Sequence, residues 1–394
     1  MIASNFTYRL EYVRIQTKED DLMNPKYKPL FESFTFRSGV TIDNRIAVAP
    51  MTHYSSNEDG TISEAELDYI IPRSKEMGMV ITACANVTPD GKAFPGQPAI
   101  HDDSHIAGLK RLAQAIQAQG SKAIVQIHHG GIECPAELVP NQDVVAPSDV
   151  SDNGKQMARA LTEAEVENIV KAFGEATRRA IEAGFDGVEI HGANGYLIQQ
   201  FYSPKTNQRT DRWGGSDEKR LAFPLAIVDE VKQAIADHAK GAFLVGYRLS
   251  PEEPDTPGLT MTETFTLVDA LVEKELDYLH ISLMDVNSKA RRGADPTRTR
   301  MDLLNERVGH KVPLIAVGSI HSADDALAVI ENGIPLVAMG REILVDPDWA
   351  VKVKEGREKQ IETVIKGTDK EKYHLPEPLW QAIVNTPGWV PYKD

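Results

Sequence analysis

Short apolar runs recur along the chain, and each is followed by a segment with helical spacing. The runs fall at 45–50 (RIAVAP), 79–86 (MVITACAN), 122–129 (KAIVQIHH) and 187–192 (GVEIHG), then at 242–250 (AFLVGYRLS), 278–283 (YLHISL), 313–319 (PLIAVGS) and 336–341 (LVAMGR). Polar and apolar positions scarcely alternate within them, the pattern of strands covered on both faces. Helix-period segments occupy 104–119, 161–184, 217–238, 262–276, 300–309 and 322–332. Thr162 and Glu165 have capping-box spacing, and Gly78, Gly120, Gly184 and Gly333 stand just ahead of strands as helix stops. Eight strands in strict βα alternation predict an α/β protein, a single-domain (β/α)8 TIM barrel spanning residues 29–350. An open doubly wound sheet is the competitor, and the absence of G-x-G-x-x-G after any strand counts against it. Residues 1–28 are expected to form an N-terminal extension and 351–394 a helical C-terminal tail packed on the barrel. Two long loops, 87–103 and 130–160, follow the second and third strands, on the face that carries barrel active sites.

Composition narrows the function. A formal net charge of −15 disfavours nucleic acid and anionic membrane as partners, although a few local arginines can still hold an anionic small molecule. Two cysteines imply no disulfide framework and fit a reducing compartment. No run of about twenty apolar residues suggests a membrane span. The polar N-terminal stretch lacks the apolar core of a leader, so the expectation is a cytoplasmic protein.

Chemistry in such a barrel collects at the C-terminal ends of strands. Those ends read Thr52, Cys84, Gln126 with His128, His191 with Asn194, Arg248, Gly318, and Gly340 with Arg341. The set has hydrogen-bonding groups and one fixed cation. It has no carboxylate pair, no metal-ligand triad and no lysine in the sixth strand, so glycosidase, metal-dependent and Schiff-base chemistry are disfavoured and no metal is expected. Glycines at the ends of strands seven and eight, with Arg341 beside them, suit a phosphate. Arg248 is either half of a structural ion pair or the counter-charge for a flavin edge that becomes negative on reduction. Gln126 is either a satisfied core amide or the partner of an imide. His191, Asn194 and Tyr196 lie close together after strand four and can converge on one acceptor.

The motifs APMTHYSS (49–56), ITACAN (81–86), VQIHH (125–129), EIHGANGYLIQQF (189–201), NQRTDRWGGS (207–216), YRLSP (247–251), AVGSI (316–320) and AMGRE (338–342) together resemble the Old Yellow Enzyme family, over about residues 28–350. The resemblance implies FMN on the barrel mouth, with NADH or NADPH as a transient reductant. Pro50, Met51, Thr52 and Cys84 would contact the flavin ring, Gln126 and Arg248 its pyrimidine edge, and Gly318, Gly340 and Arg341 its phosphate. His191 and Asn194 would bind a substrate carbonyl, and Tyr196 would donate the proton. Tyr54 and His128 would line the substrate pocket. The implied reaction is ping-pong reduction of the activated C=C bond of a small enone-type compound. Thr52 stands where some relatives have Cys, Asn194 where many have His, and no Arg follows Arg357, so a C-terminal Arg reaching a neighbouring subunit is not expected. Homo-oligomerisation is left open. The residues alone also leave open a flavin-free phosphate-binding barrel and a catalytically idle FMN-binding protein.

Overall fold

The computed structural model describes residues 22–394, so the expected N-terminal extension lies outside the described residues up to Asp21. Eight parallel strands form the centre: β1 Ile46–Val48, β2 Met79–Ile81, β3 Lys122–His128, β4 Gly187–Gly192, β5 Leu244–Leu249, β6 Tyr278–Ile281, β7 Leu314–Val317 and β8 Leu336–Met339. Each pairs with the next, and β8 returns to β1 through Val337↔Ile46 and Met339↔Val48, which closes the barrel. The connecting helices are α1 Glu64–Arg73, α2 Ile106–Gln117, α3 Glu163–Ala183, α4 Ala222–His238, α5 Met261–Val272, α6 Arg300–Val308, α7 Ala323–Glu331 and α8 Trp349–Lys354. The protein is thus a (β/α)8 barrel, and the eight apolar runs are its strands. The Thr162–Glu165 capping box opens α3, and Gly184 closes it at φ 84°, a left-handed conformation natural to glycine. Among the described residues no helix is long and apolar enough to cross a membrane.

Some elements differ from the sequence expectation. α1 is additional; Pro72 in its last turn masks a helix whose start is capped by Ser63 accepting from the Glu66 N–H. The run 79–86 is interrupted after Ile81 and resumes only at Ala85–Asn86, beside the outer end of β3. That break lets Cys84 face the barrel mouth. Within 351–394 the one α-helix wholly inside the segment is Glu377–Asn385; the rest includes 3₁₀ turns and a parallel pair, Ile365–Lys366 with Tyr392–Lys393. Fully buried Arg73 donates to the carbonyls of Tyr69 and Tyr373, both at 2.6 Å, and so fastens this segment to α1.

Side chains of alternate strand residues fill the barrel. At its base, Ile42 from an antiparallel pair, Phe34–Thr35 with Thr41–Ile42, and Phe36 and Val40 from the turn that joins the pair plug the opening. Next come Met79, Ile124, Leu244, Tyr278, Ile315 and Leu336. Gly246 is required here, because a Cβ at that position would lie 2.1 Å from the Tyr278 ring. Above this apolar floor the inward positions become polar: Gln126, Glu189 and His280 are all buried.

The crossing of Tyr278 over Gly246 sets a testable limit. Gly246→Ala should destabilise the protein by about 1–3 kcal/mol through overpacking. The double variant Gly246→Ala/Tyr278→Leu should recover most of that loss, because the leucine vacates the space. Denaturant midpoints measure both; a wild-type midpoint for the single variant would remove the constraint.

Candidate active site

A cavity of 580 Å³ opens at the C-terminal ends of the strands, and a smaller space of 60 Å³ adjoins it at the barrel axis. Pro50, Met51, Thr52, Asn194 and Arg248 line both. Cys84, Gln126, His191 and Tyr196 line the smaller space, and Tyr54, Gly318, Gly340 and Arg341 the larger. Thirteen of the fourteen residues singled out above therefore face one continuous site. His128 lines neither; it is fully buried behind Tyr196 and His191.

The electrostatic centre is Arg248, brought in by β5 in register with His191 on β4 and His280 on β6. Burial lowers its pKa, yet a guanidinium remains charged. Its Nε–H is buried without a partner, and no hydrogen bond joins the guanidinium to any described residue. An unsatisfied buried donor costs about 1–3 kcal/mol. A charged fork left open toward a cavity is thus suited to an electron-rich ligand edge. Gln126 beside it donates its Nε2–H to Glu189 at 2.7 Å. Its amide oxygen is left as an acceptor, so guanidinium and amide together match an imide-like N–H and carbonyl edge such as the flavin pyrimidine.

His191, Asn194 and Tyr196 follow from the end of β4. Burial, with neighbouring His128 and Arg248, holds His191 well below the usual imidazole range, so the ring is neutral. The Ala193 N–H donates to its Nδ1 at 3.3 Å, which leaves the proton on Nε2 and makes that nitrogen a donor. Asn194 adopts φ 59°, a left-handed conformation that asparagine tolerates. Its Oδ1 accepts from Ser282 Oγ at 2.8 Å and Ser250 Oγ at 3.3 Å, which leaves its NH2 as the free group. Burial pushes the Tyr196 phenol up, so it is protonated at neutral pH. The ring stands edge-on to His128 at 4.4 Å and to His191 at 5.1 Å.

His128 is held by Gln97, whose Nε2 lies 3.0 Å from its Nδ1 and donates to the Cys84 carbonyl at 3.1 Å. Burial lowers the His128 pKa to about 3, so this too is a neutral ring. Gln97 thereby ties the loop 87–103 to the wall behind Tyr196. The same loop touches Tyr54 through Phe94, with ring centroids 5.8 Å apart. Gly96, at φ 63°, is needed because a Cβ there would lie 2.3 Å from the Tyr54 carbonyl carbon.

The far end of the larger cavity fits a phosphate. Gly318 has φ 128°, and a Cβ on it would meet the Leu283 carbonyl oxygen at 2.6 Å. Arg341 donates to Ser319 Oγ at 3.0 Å, which aims its guanidinium along the loop after β7. His321 also faces this end, and its Nδ1 lies 3.0 Å from Glu342 Oε2. Burial pushes Glu342 up to about 7, against the pull of His321. Met284, which is 71% exposed, and Trp389 supply an apolar lip. One end suited to a phosphate and one suited to an imide edge, separated along a single cavity, match the two ends of FMN.

Sequence reasoning passed over Glu189, His280, Gln97, Ser282, Ser250 and His321. Strand parity was a usable signal for the first two, since residues 189 and 191 share a face, as do 278 and 280. Gln97 and His321 lie in loops, where no periodicity identifies them.

Residues 29–360 match the NADH:flavin oxidoreductase / NADH oxidase family. The chain is 93% identical over 372 residues to the probable NADH-dependent flavin oxidoreductase YqiG of Bacillus subtilis (strain 168), covering 94% of this chain and 100% of that protein. It is 41% identical over 357 residues to the NADH:fumarate oxidoreductase of Klebsiella pneumoniae (strain 342), covering 89% of this chain and 38% of that longer protein. Among solved structures, morphinone reductase in complex with tetrahydroNAD superposes with a TM-score of 0.71 at 28% identity, covering 83% of this chain and 91% of that one. With the barrel, the orphaned arginine and the phosphate end already in place, the conclusion is that the chain belongs to the NADH:flavin oxidoreductase / NADH oxidase family and is an Old Yellow Enzyme-type oxidoreductase that uses FMN with NAD(P)H as reductant.

Proposed function

We propose that the protein reduces the activated C=C bond of small α,β-unsaturated carbonyl compounds. One observation carries this reading: two neutral donors, His191 Nε2–H and the Asn194 NH2, share the small space above Arg248 with the protonated phenol of Tyr196. FMN held in this site would supply the hydride-transfer chemistry between NAD(P)H and the acceptor. His191 and Asn194 bind the acceptor's carbonyl oxygen and stabilise the enolate charge that grows on it. Tyr196 gives its proton to the α-carbon. Gln126 and Arg248 hold the flavin's pyrimidine edge, and Gly318, Gly340, Arg341 and His321 its phosphate. Thr52 and Cys84 border the ring, and Tyr54 bounds the substrate space. His128, neutral and clamped by Gln97, fixes the tilt of Tyr196 from behind.

The nicotinamide and the acceptor take turns in the same space, since the barrel carries no separate dinucleotide fold among the described residues, and the kinetics are ping-pong. The partner is a small molecule, and the location is the cytoplasm, in keeping with two free thiols.

Two variants test the assignments. Arg248→Ala removes the charge-assisted contacts to the pyrimidine edge, which contribute about 1.5–3 kcal/mol apiece. The Kd for FMN should rise about ten- to a hundredfold, read by titrating deflavinated protein and following fluorescence quenching. An unchanged Kd would return Arg248 to a structural role.

Tyr196→Phe separates the half-reactions. Flavin reduction by NAD(P)H needs no proton from this phenol and should stay near the wild-type rate. Reoxidation by simple enones should slow by about a hundred- to ten-thousandfold, the usual cost of losing a general acid. Strongly activated acceptors such as nitroalkenes should lose much less. Stopped-flow measurement of each half-reaction decides; slowed flavin reduction with intact enone turnover would show that Tyr196 is not the acid.

A further inference from the structure

Glu189 is a fully buried carboxylate in the middle of the barrel, one inward position below His191 on β4 and in register with Gln126 on β3. Burying an ion this deeply is costly, and an apolar side chain of similar size would often be no less stable there. Its surroundings are specific. It accepts from Gln126 Nε2 at 2.7 Å and from His280 Nδ1 at 3.0 Å. Burial pushes Glu189 up, but His280, Arg248 and Gln126 outweigh it and leave its pKa lowered, so the group is ionised.

We infer that Glu189 is a positioning residue for the flavin: it turns Gln126 so that only an acceptor faces the cavity, and its fixed negative charge holds down the reduction potential of the bound FMN. The first half follows from donor counting. An ionised carboxylate can only accept, so Gln126 must give it an N–H and present Oε1 at the other end. That oxygen lies where an imide N–H is to be read. A free glutamine could equally present its NH2.

The second half is electrostatic. Reduction places negative charge on the flavin edge that Arg248 faces. Arg248 favours that charge, and Glu189 opposes it from the same low-dielectric core. Of the groups coupled to Arg248, Glu189 acts most strongly, and burial keeps Cys84, Tyr196 and Tyr278 neutral. Arg248 and Glu189 therefore cancel in part, and a site with Arg248 alone would bind the reduced flavin more tightly.

The inference rests on flavin binding at this edge and not on the acceptor proposed above, and the measurements that test it use no unsaturated acceptor. Glu189→Gln keeps the shape and a hydrogen-bonding group on each side but removes the charge. The midpoint potential of its bound FMN, followed by spectroelectrochemical titration of the holoprotein, should move positive. Affinity for reduced over oxidised FMN should increase about tenfold, equivalent to about 30 mV for a two-electron couple. A potential that is unchanged or lower in FMN-loaded Glu189→Gln overturns the electrostatic half. Glu189→Asp keeps the charge but draws it away from Gln126, and covers the case in which Glu189→Gln does not load with FMN. The wild type should bind FMN at least tenfold more tightly than FMN methylated at N3, and Glu189→Asp should lose most of that preference. If Glu189→Asp discriminates as the wild type does, Glu189 does not orient Gln126.

Discussion

Arg248 brings a permanent charge into the centre of a β-barrel, and every layer around it is arranged to make that tolerable. A buried guanidinium without acceptors would cost more than any one packing contact returns. Two acceptors could meet it: a protein carboxylate directly, or a ligand. Here the carboxylate, Glu189, is committed to Gln126 and His280, and the guanidinium forms no hydrogen bond with any described residue. The protein thus supplies a balancing charge nearby and leaves the hydrogen bonds of Arg248 to whatever enters the cavity. The same economy explains the neutral histidines. With Arg248 beside them, protonation of His191 would put a second cation in the same small space, and burial and Arg248 together keep it neutral.

Strand parity converts this requirement into architecture. Along β3 the inward positions run Ile124, Gln126, His128; along β4, Gly187, Glu189, His191; along β5, Leu244, Gly246, Arg248; along β6, Tyr278, His280. β3 and β4 therefore pass from an apolar or glycine floor through a polar middle toward the barrel mouth, while β5 keeps Gly246 beneath Arg248 and so leaves room for the Tyr278 ring. The floor is what permits the rest. Tyr278 spreads over Gly246 and seals the space beneath the polar layer, so that the charges above are answered by one another and by ligand.

Much of this was legible in the sequence, for reasons that can be named. The eight strands stand out because both faces of each are covered and the runs are almost wholly apolar. Strand-end residues such as Arg248 and Gln126 were readable because a barrel places chemistry at the ends of its strands. Glu189 was read only as part of a motif, although its face is the face of His191; a carboxylate between Val188 and Ile190 resembles an accident unless its partners on β3 and β6 are known. His128 shows the converse failure. Sharing a face with Gln126 suggests a pocket wall, but the outer end of β3 is covered by Ala85–Asn86 and by the loop carrying Gln97, so the ring is sealed behind Tyr196. The helix Glu64–Arg73 was obscured by Pro72, which costs little so close to the C-terminal end.

Asn194 shows how much of the site's chemistry lies outside its motif. A neutral histidine donates from one nitrogen once its other nitrogen is engaged, as the Ala193 N–H does for His191. An asparagine has an oxygen and a nitrogen of almost equal shape, and either could face a ligand. Only its neighbours decide. Ser282, just beyond β6, and Ser250, just beyond β5, both take the amide oxygen, while the Asn194 N–H donates to Ser250 Oγ at 2.9 Å and steadies its left-handed turn. Three strand ends therefore meet at this side chain, with its oxygen turned to the two hydroxyls and its NH2 left toward the cavity. Where the ring of His191 carries its constraint within itself, the amide of Asn194 takes its orientation among hydroxyls supplied by two other strands.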